Sequence, residues 1–136
     1  MQHRAGARAD RPISPLHAIL IASPIPLFLG AVLSNWAYAS TYQIQWTNFA
    51  SWLVAGGLVF VGFAFVWAIV EVLTGRGQRR WLYVALVLAT FICGLITALE
   101  LAKDAWAAMP GALVLSIITL ILSVAMNWAA YWSRGV

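Results

Sequence analysis

Between Pro15 and Ser40 the chain reads PLHAILIASPIPLFLGAVLSNWAYAS, an apolar run broken near its middle by Pro24-Ile25-Pro26. A run of this length and character is a membrane span, because a soluble helix needs a polar face that this stretch does not have. Ser14 stands where an N-cap is wanted and Pro15 at the first helical position, so the helix starts there. His17, one turn in, is the only titratable side chain of the run before Tyr38. Pro24 and Pro26 each remove a backbone N–H and crowd the preceding turn, so the first helix is expected to kink. The carbonyls they release, those of Leu20 and Ala22, are expected to find Ser23 or a neighbouring helix.

Composition extends this reading to the whole chain. With 136 residues, 63% of them hydrophobic and 9% charged, there are too few charged groups to clothe a soluble domain, in which about a quarter of residues are charged. The length allows one domain. Cys93 is the single cysteine, which excludes an intrachain disulfide or a thiolate metal cluster within one chain. The net charge of +4 would suggest a nucleic-acid partner in a soluble protein. Here the basic residues flank apolar runs, so they are expected to set membrane orientation, with no nucleic-acid partner and the lipid bilayer as surroundings.

The expected architecture is all-α: an antiparallel four-helix transmembrane bundle with a kinked first helix and both termini cytoplasmic. A basic tail, residues 1–14, is expected to be disordered, and residues 15–136 to form the membrane domain. The spans fall at about residues 16–39, 49–73, 81–101 and 112–132, each of roughly 20 to 25 residues as a hydrocarbon core of about 30 Å requires. The alternative of a cleaved signal peptide ending at Ala37-Tyr38-Ala39 loses to the length of the run and its two prolines. All seven arginines lie in the tail, in the turn at residues 74–80 and in the C-terminal stub, which puts those segments on the cytoplasmic side. Trp36, Trp46 and Trp106 then mark the outer boundary and Trp81, Trp128 and Trp132 the inner one.

Lipid gives helices no hydrophobic reason to associate, so small residues are expected on the packing faces. The repeats are Ala18, Ala22, Pro26, Gly30 and Ser34 in the first span, and Ala50, Gly57, Ala64 and Glu71 in the second. The third offers Ala85, Ala89, Cys93 and Thr97, with Glu100 beyond. The fourth carries a polar seam, Ser116, Thr119, Ser123 and Asn127, expected to contribute interhelical hydrogen bonds of roughly 0.6 kcal/mol each rather than a solute or proton path.

Chemistry is scarce. No His-Glu-x-x-His, Gly-x-Ser-x-Gly or phosphate-binding loop is present, no catalytic residue is assigned, and the chain leans away from an enzyme. No metal or cofactor is expected. A haem or a quinone is the alternative, His17 being the one histidine inside a span and Met126 the conceivable second haem ligand. Glu100 with Lys103 one turn on reads as a surface ion pair. Glu71 shares its leaflet with His17, Arg76, Arg79 and Arg80, and His17 and Glu71 are expected to meet at the cytoplasmic mouth of the bundle.

The stretches PLHAILIASPIPLFLGAVLSNWAY and WTNFASWLVAGGLVFVGFAFVWAIVE resemble the first two helices of a bacterial family of uncharacterised four-helix inner-membrane proteins. That family opens with a histidine-proline pair, a second histidine five residues on and a proline two after that, and carries an aspartate at the end of each of its first two helices, the second of which Glu71 replaces here. His17 and Pro24 match, while Ala22 replaces the second histidine and Asn35 the first acid. The resemblance implies an accessory role in a respiratory membrane, since such genes are met near periplasmic quinoprotein sugar dehydrogenases. The function expected is a non-catalytic accessory or anchoring subunit with a membrane or periplasmic protein, or a second copy, as partner. The alternative is a small electron or proton conduit using His17 and Glu71.

Overall fold

The computed structural model describes residues 12–76 and 80–135; the expected tail up to residue 11 and Arg79 of the basic turn lie outside them. Two helical segments, α1 (Pro15–Ala22) and α2 (Pro24–Thr41), form one bent unit. They are followed by α3 (Gln45–Leu73), α4 (Trp81–Leu101), a 3-10 turn at Ala105–Ala108 and α5 (Gly111–Gly135). The α1–α2 unit, α3, α4 and α5 give four helices long and apolar enough to cross a membrane, and no strand occurs among the described residues. The third span keeps its expected bounds, whereas the second begins four residues before the expected residue 49 and leaves a link of only residues 42–44.

Local chemistry explains the boundaries. Ser14 accepts the His17 N–H and Pro15 occupies the first turn, so α1 starts as the sequence indicates. The first span bends by 13° at the Ser23-Pro24 step. There the Ser23 hydroxyl donates to the carbonyl of Ile19 at 2.7 Å, not to that of Leu20 or Ala22. The close of α3 is set by Gly75, whose φ of +73° is costly for any residue with a Cβ. Gly75 N–H bonds Val72 O and Arg76 N–H bonds Glu71 O, the paired closure that ends a helix against a left-handed residue.

The spans form a ring in which α2 packs on α3 and α5, and α4 packs on the same two. Buried positions recur at alternating steps of three and four. In the first span they are His17, Ile21, Pro24, Phe28, Ala31, Asn35 and Tyr38, with Ser34 buried beside Asn35, and in α3 Thr47, Ala50, Val54, Gly57, Val61, Ala64 and Ala68. In α4 they are Tyr83, Val87, Thr90, Gly94, Thr97 and Leu101, and in α5 Ala112, Ser116, Thr119, Ser123, Met126 and Ala130. A seven-residue repeat of this kind is the signature of helices crossing at a shallow angle with side chains interlocked.

Two of the small stripes are corrected by this register. Ala22 and Pro26 are exposed, and so is Ala85. A strict four-residue step drifts around a helix of 3.6 residues per turn, so such a stripe leaves the packing face within two turns. The seven-residue repeat expected of α3 stays on that face at Ala50, Gly57 and Ala64. A Cβ on Gly57 would come within 2.4 Å of the Phe28 ring, so glycine lets that aromatic side chain lie against the α3 backbone. In the polar seam Ser116, Thr119 and Ser123 are buried, but Asn127 is only half-buried and Met126 takes the core position.

The core has two halves. Toward the end carrying Arg76 and Arg80, here called the basic end, it holds Ile21, Phe28, Tyr83, Val87 and Met126. Toward the opposite, neutral end it is built of Ala31, Ala50, Val54, Leu101, Ala108 and Ala112. The buried hydroxyls lie along the same interior. Thr97 and Thr119 meet across α4 and α5 at 3.1 Å, and Asn35 Nδ2 donates to Ala112 O at 3.3 Å and Ser116 Oγ at 3.2 Å.

Candidate functional site: an ionisable cluster at the basic end

His17 has no solvent exposure and sits between Tyr83 and Trp67. A hydrogen bond of 2.9 Å joins its Nε2 to the Tyr83 hydroxyl. Its Nδ1 is 4.0 Å from Glu71 Oε1, so the structure brings together the two residues paired from the sequence. The imidazole lies deeper than the partly buried mouth that the sequence suggested, because Trp67 and Tyr83 cover its faces.

Glu71 is the hub on α3. Its Oε1 accepts from the Trp67 indole N–H at 3.1 Å, a contact one turn away on the same helix. Its Oε2 accepts from Arg80 Nη1 in a charge-assisted pair. Arg80, with its side chain 9% exposed, also donates from Nε to Ser133 Oγ on α5 at 3.0 Å, and its guanidinium lies 4.6 Å over the Tyr83 ring. Four spans therefore converge: His17 from the first, Trp67 and Glu71 from the second, Tyr83 from the third with Arg80 at its head, and Ser133 from the fourth.

Tyr83, Trp67 and Ser133 were not singled out from the sequence. Trp67 carries the signal of standing four residues before an acid on a helix, and Tyr83 that of standing three after Arg80. Nothing local marks Ser133. At the neutral end Lys103 Nζ pairs with Glu100 Oε2 at 2.7 Å with Lys103 half exposed, as the spacing indicated.

Both ring nitrogens of His17 face side chains of the bundle. A haem iron would have to displace Tyr83 or Glu71 to reach either. Among the described residues no three of His, Cys, Asp or Glu gather as a metal site. Two grooves flank the cluster. One of about 1060 Å³ runs between α4 and α5 beside Arg80 and Tyr83, and one of about 590 Å³ runs between α1 and α3 beside Glu71 and Arg76.

Four apolar spans packed in a ring, with charge confined to the ends, define a multi-pass membrane protein. The chain belongs to a family described as a predicted membrane protein, DUF2231, whose model matches residues 13–132. No curated protein and no solved structure matches it.

Proposed function

We propose that the protein is a non-catalytic accessory or anchoring subunit of the inner (plasma) membrane. The observation that carries this is the closure of the cluster upon itself. Glu71, Arg80, Tyr83, His17 and Ser133 bond one another, which suits a clamp for helix ends better than a site awaiting a substrate. The partner would be another membrane protein or a periplasmic enzyme, or a second copy of the chain, met on the outward apolar faces. Both termini and the basic turn are placed on the cytoplasmic side by the arginine distribution. Alkaline phosphatase fused after Gln45 or Trp106 should then be active, and fused after Gly77 or Arg134 inactive.

A second reading, a proton or electron conduit, draws on one observation: an ionisable side chain wholly buried within a span is costly, and His17 is one. A quinone or a haem would be its redox group. The absorption spectrum of the purified protein, combined with quinone extraction, decides between the accessory role and a conduit that carries a redox group. An accessory subunit shows only aromatic absorption and no stoichiometric quinone. A Soret band, or one quinone per chain, overturns it.

A further inference from the structure

The groove between α4 and α5 is lined largely by exposed side chains, Leu82, Ile121 and Val124 with three tryptophans, and so lies on the outward face of the bundle. Leu86, Leu120, Ile121, Val124 and Ala125 line it, together with Arg80 and Ser133, which bond each other at the basic end. Trp81, Trp128 and Trp132 stand around that end with 73%, 67% and 62% of their surfaces exposed, where an indole can keep its ring in hydrocarbon and its N–H toward the headgroups.

Its charge is one-sided. Arg80 is the cation among the lining residues, and no acid is among them. Its carboxylate partner Glu71 stands on α3 and lines the other groove, between α1 and α3. Arg76, past the close of α3, lines the α1–α3 groove with Glu71, so Arg80 is the cation that the α4–α5 groove holds. A groove with apolar walls, a tryptophan rim and a basic end repeats the layering of a phospholipid: acyl chain, interface, anionic headgroup.

We propose that this groove is a specific site for an anionic phospholipid, with acyl chain along Leu86, Ile121 and Val124 and phosphate at the basic end. The volume of about 1060 Å³ lies just above the roughly 300 to 1,000 Å³ range of ligand sites, which leaves room for a chain-bearing ligand. Arg80 serves here as the positive edge of the site while it keeps its bonds to Glu71 and Ser133. The inference does not depend on the accessory role, since either function is compatible with a resident lipid.

The test is native mass spectrometry of the full chain released from vesicles of equimolar phosphatidylglycerol and phosphatidylcholine. One retained phosphatidylglycerol per chain is expected, favoured over phosphatidylcholine by about twofold to fivefold, the upper figure being what one basic residue near the surface supplies and Glu71 offsetting part of the Arg80 charge. Ala125→Phe, and independently Val124→Trp, fill the groove and should remove the adduct while the helical circular dichroism and elution volume stay unchanged. Two variants are used so that the loss of fold in one leaves the other decisive. Equal retention of the two lipids, no adduct, or an adduct that survives both variants overturns the proposal. So does a retained quinone, or a dimer that the variants disperse.

Discussion

The two ends of the bundle are held by different means. At the neutral end the chain itself does part of the work: residues 42–44 join the first two spans, and the 3-10 turn lies in the link between the last two. There the core is mostly alanine, and Tyr42 and Trp106 rings, 4.9 Å apart, lie across the two links. At the basic end the link among the described residues is the one that joins α3 to α4, and the start of α1 and the close of α5 are tied to these helices through side chains. His17 fixes α1 to Tyr83 of α4, Ser133 fixes α5 to Arg80, and Glu71 fixes Arg80 to α3. At this end the bonds between spans are made by ionisable side chains, whereas Asn35, Ser116, Thr97 and Thr119 make neutral ones toward the other half, and this gives the buried charges a structural role.

Breaking the hub should therefore have the largest effect. Glu71→Leu leaves Arg80 with its side chain nearly buried and its carboxylate partner gone, and should cost about 2 to 4 kcal/mol in detergent unfolding. Glu71→Leu combined with Arg80→Leu should recover much of this, because an apolar pair leaves no charge stranded. If the double variant is worse than the single one, attraction rather than stranded charge dominates, and the ion pair itself holds the clamp.

Between the two halves, Gly57→Ala should cost about 1 to 3 kcal/mol, since the added methyl falls 2.4 Å from the Phe28 ring and forces the helices apart. Gly30→Leu, whose first carbon already meets Leu53 at 3.0 Å, should likewise destabilise more than Leu29→Ala on the exposed side. Equal melting temperatures for the last two would place Gly30 toward lipid.

Within the clamp, Tyr83→Phe should cost about 1 kcal/mol, the ordinary worth of a buried hydrogen bond, and should lower protection of α1 amides before those of α3. A cycle of His17→Ala and Glu71→Gln should show coupling of about 0.5 to 2 kcal/mol. Additive effects would mean that His17 answers to Tyr83 alone.

How much of this was legible in the sequence follows from what each feature depends on. The spans follow from hydropathy, and the third was placed at both ends because Arg80 and Lys103 bracket it in sequence. The packing faces of the first and third spans were misplaced because small size was used as the criterion. The core accepts Phe28, Tyr83 and Met126 and leaves Ala22 and Ala85 outside, so helix rotation was set by the interlocking of all four spans. His17 and Glu71 could be paired because antiparallel neighbours bring both helix ends to one side. Tyr83 and Ser133 lie 66 and 53 residues from their partners, and no local pattern carries that information.

The smallest effect belongs to the neutral end. Lys103 is half exposed, and its pair with Glu100 spans one helical turn, so the lysine's charge remains near water whether or not the two touch. Such pairs are worth well under 1 kcal/mol because salt screens the attraction and two long side chains lose freedom in making it. Lys103→Ala should therefore change stability by less than about 0.5 kcal/mol, and the change should shrink further in 0.5 M salt. Glu100 also lies against Gly111, where a Cβ would come within 2.7 Å of its Oε1, so this carboxylate is positioned by close packing on the start of α5 as well as by the lysine. A loss above about 1 kcal/mol for Lys103→Ala would show that the neutral end, too, hangs on charge, and the contrast between the two ends would fail.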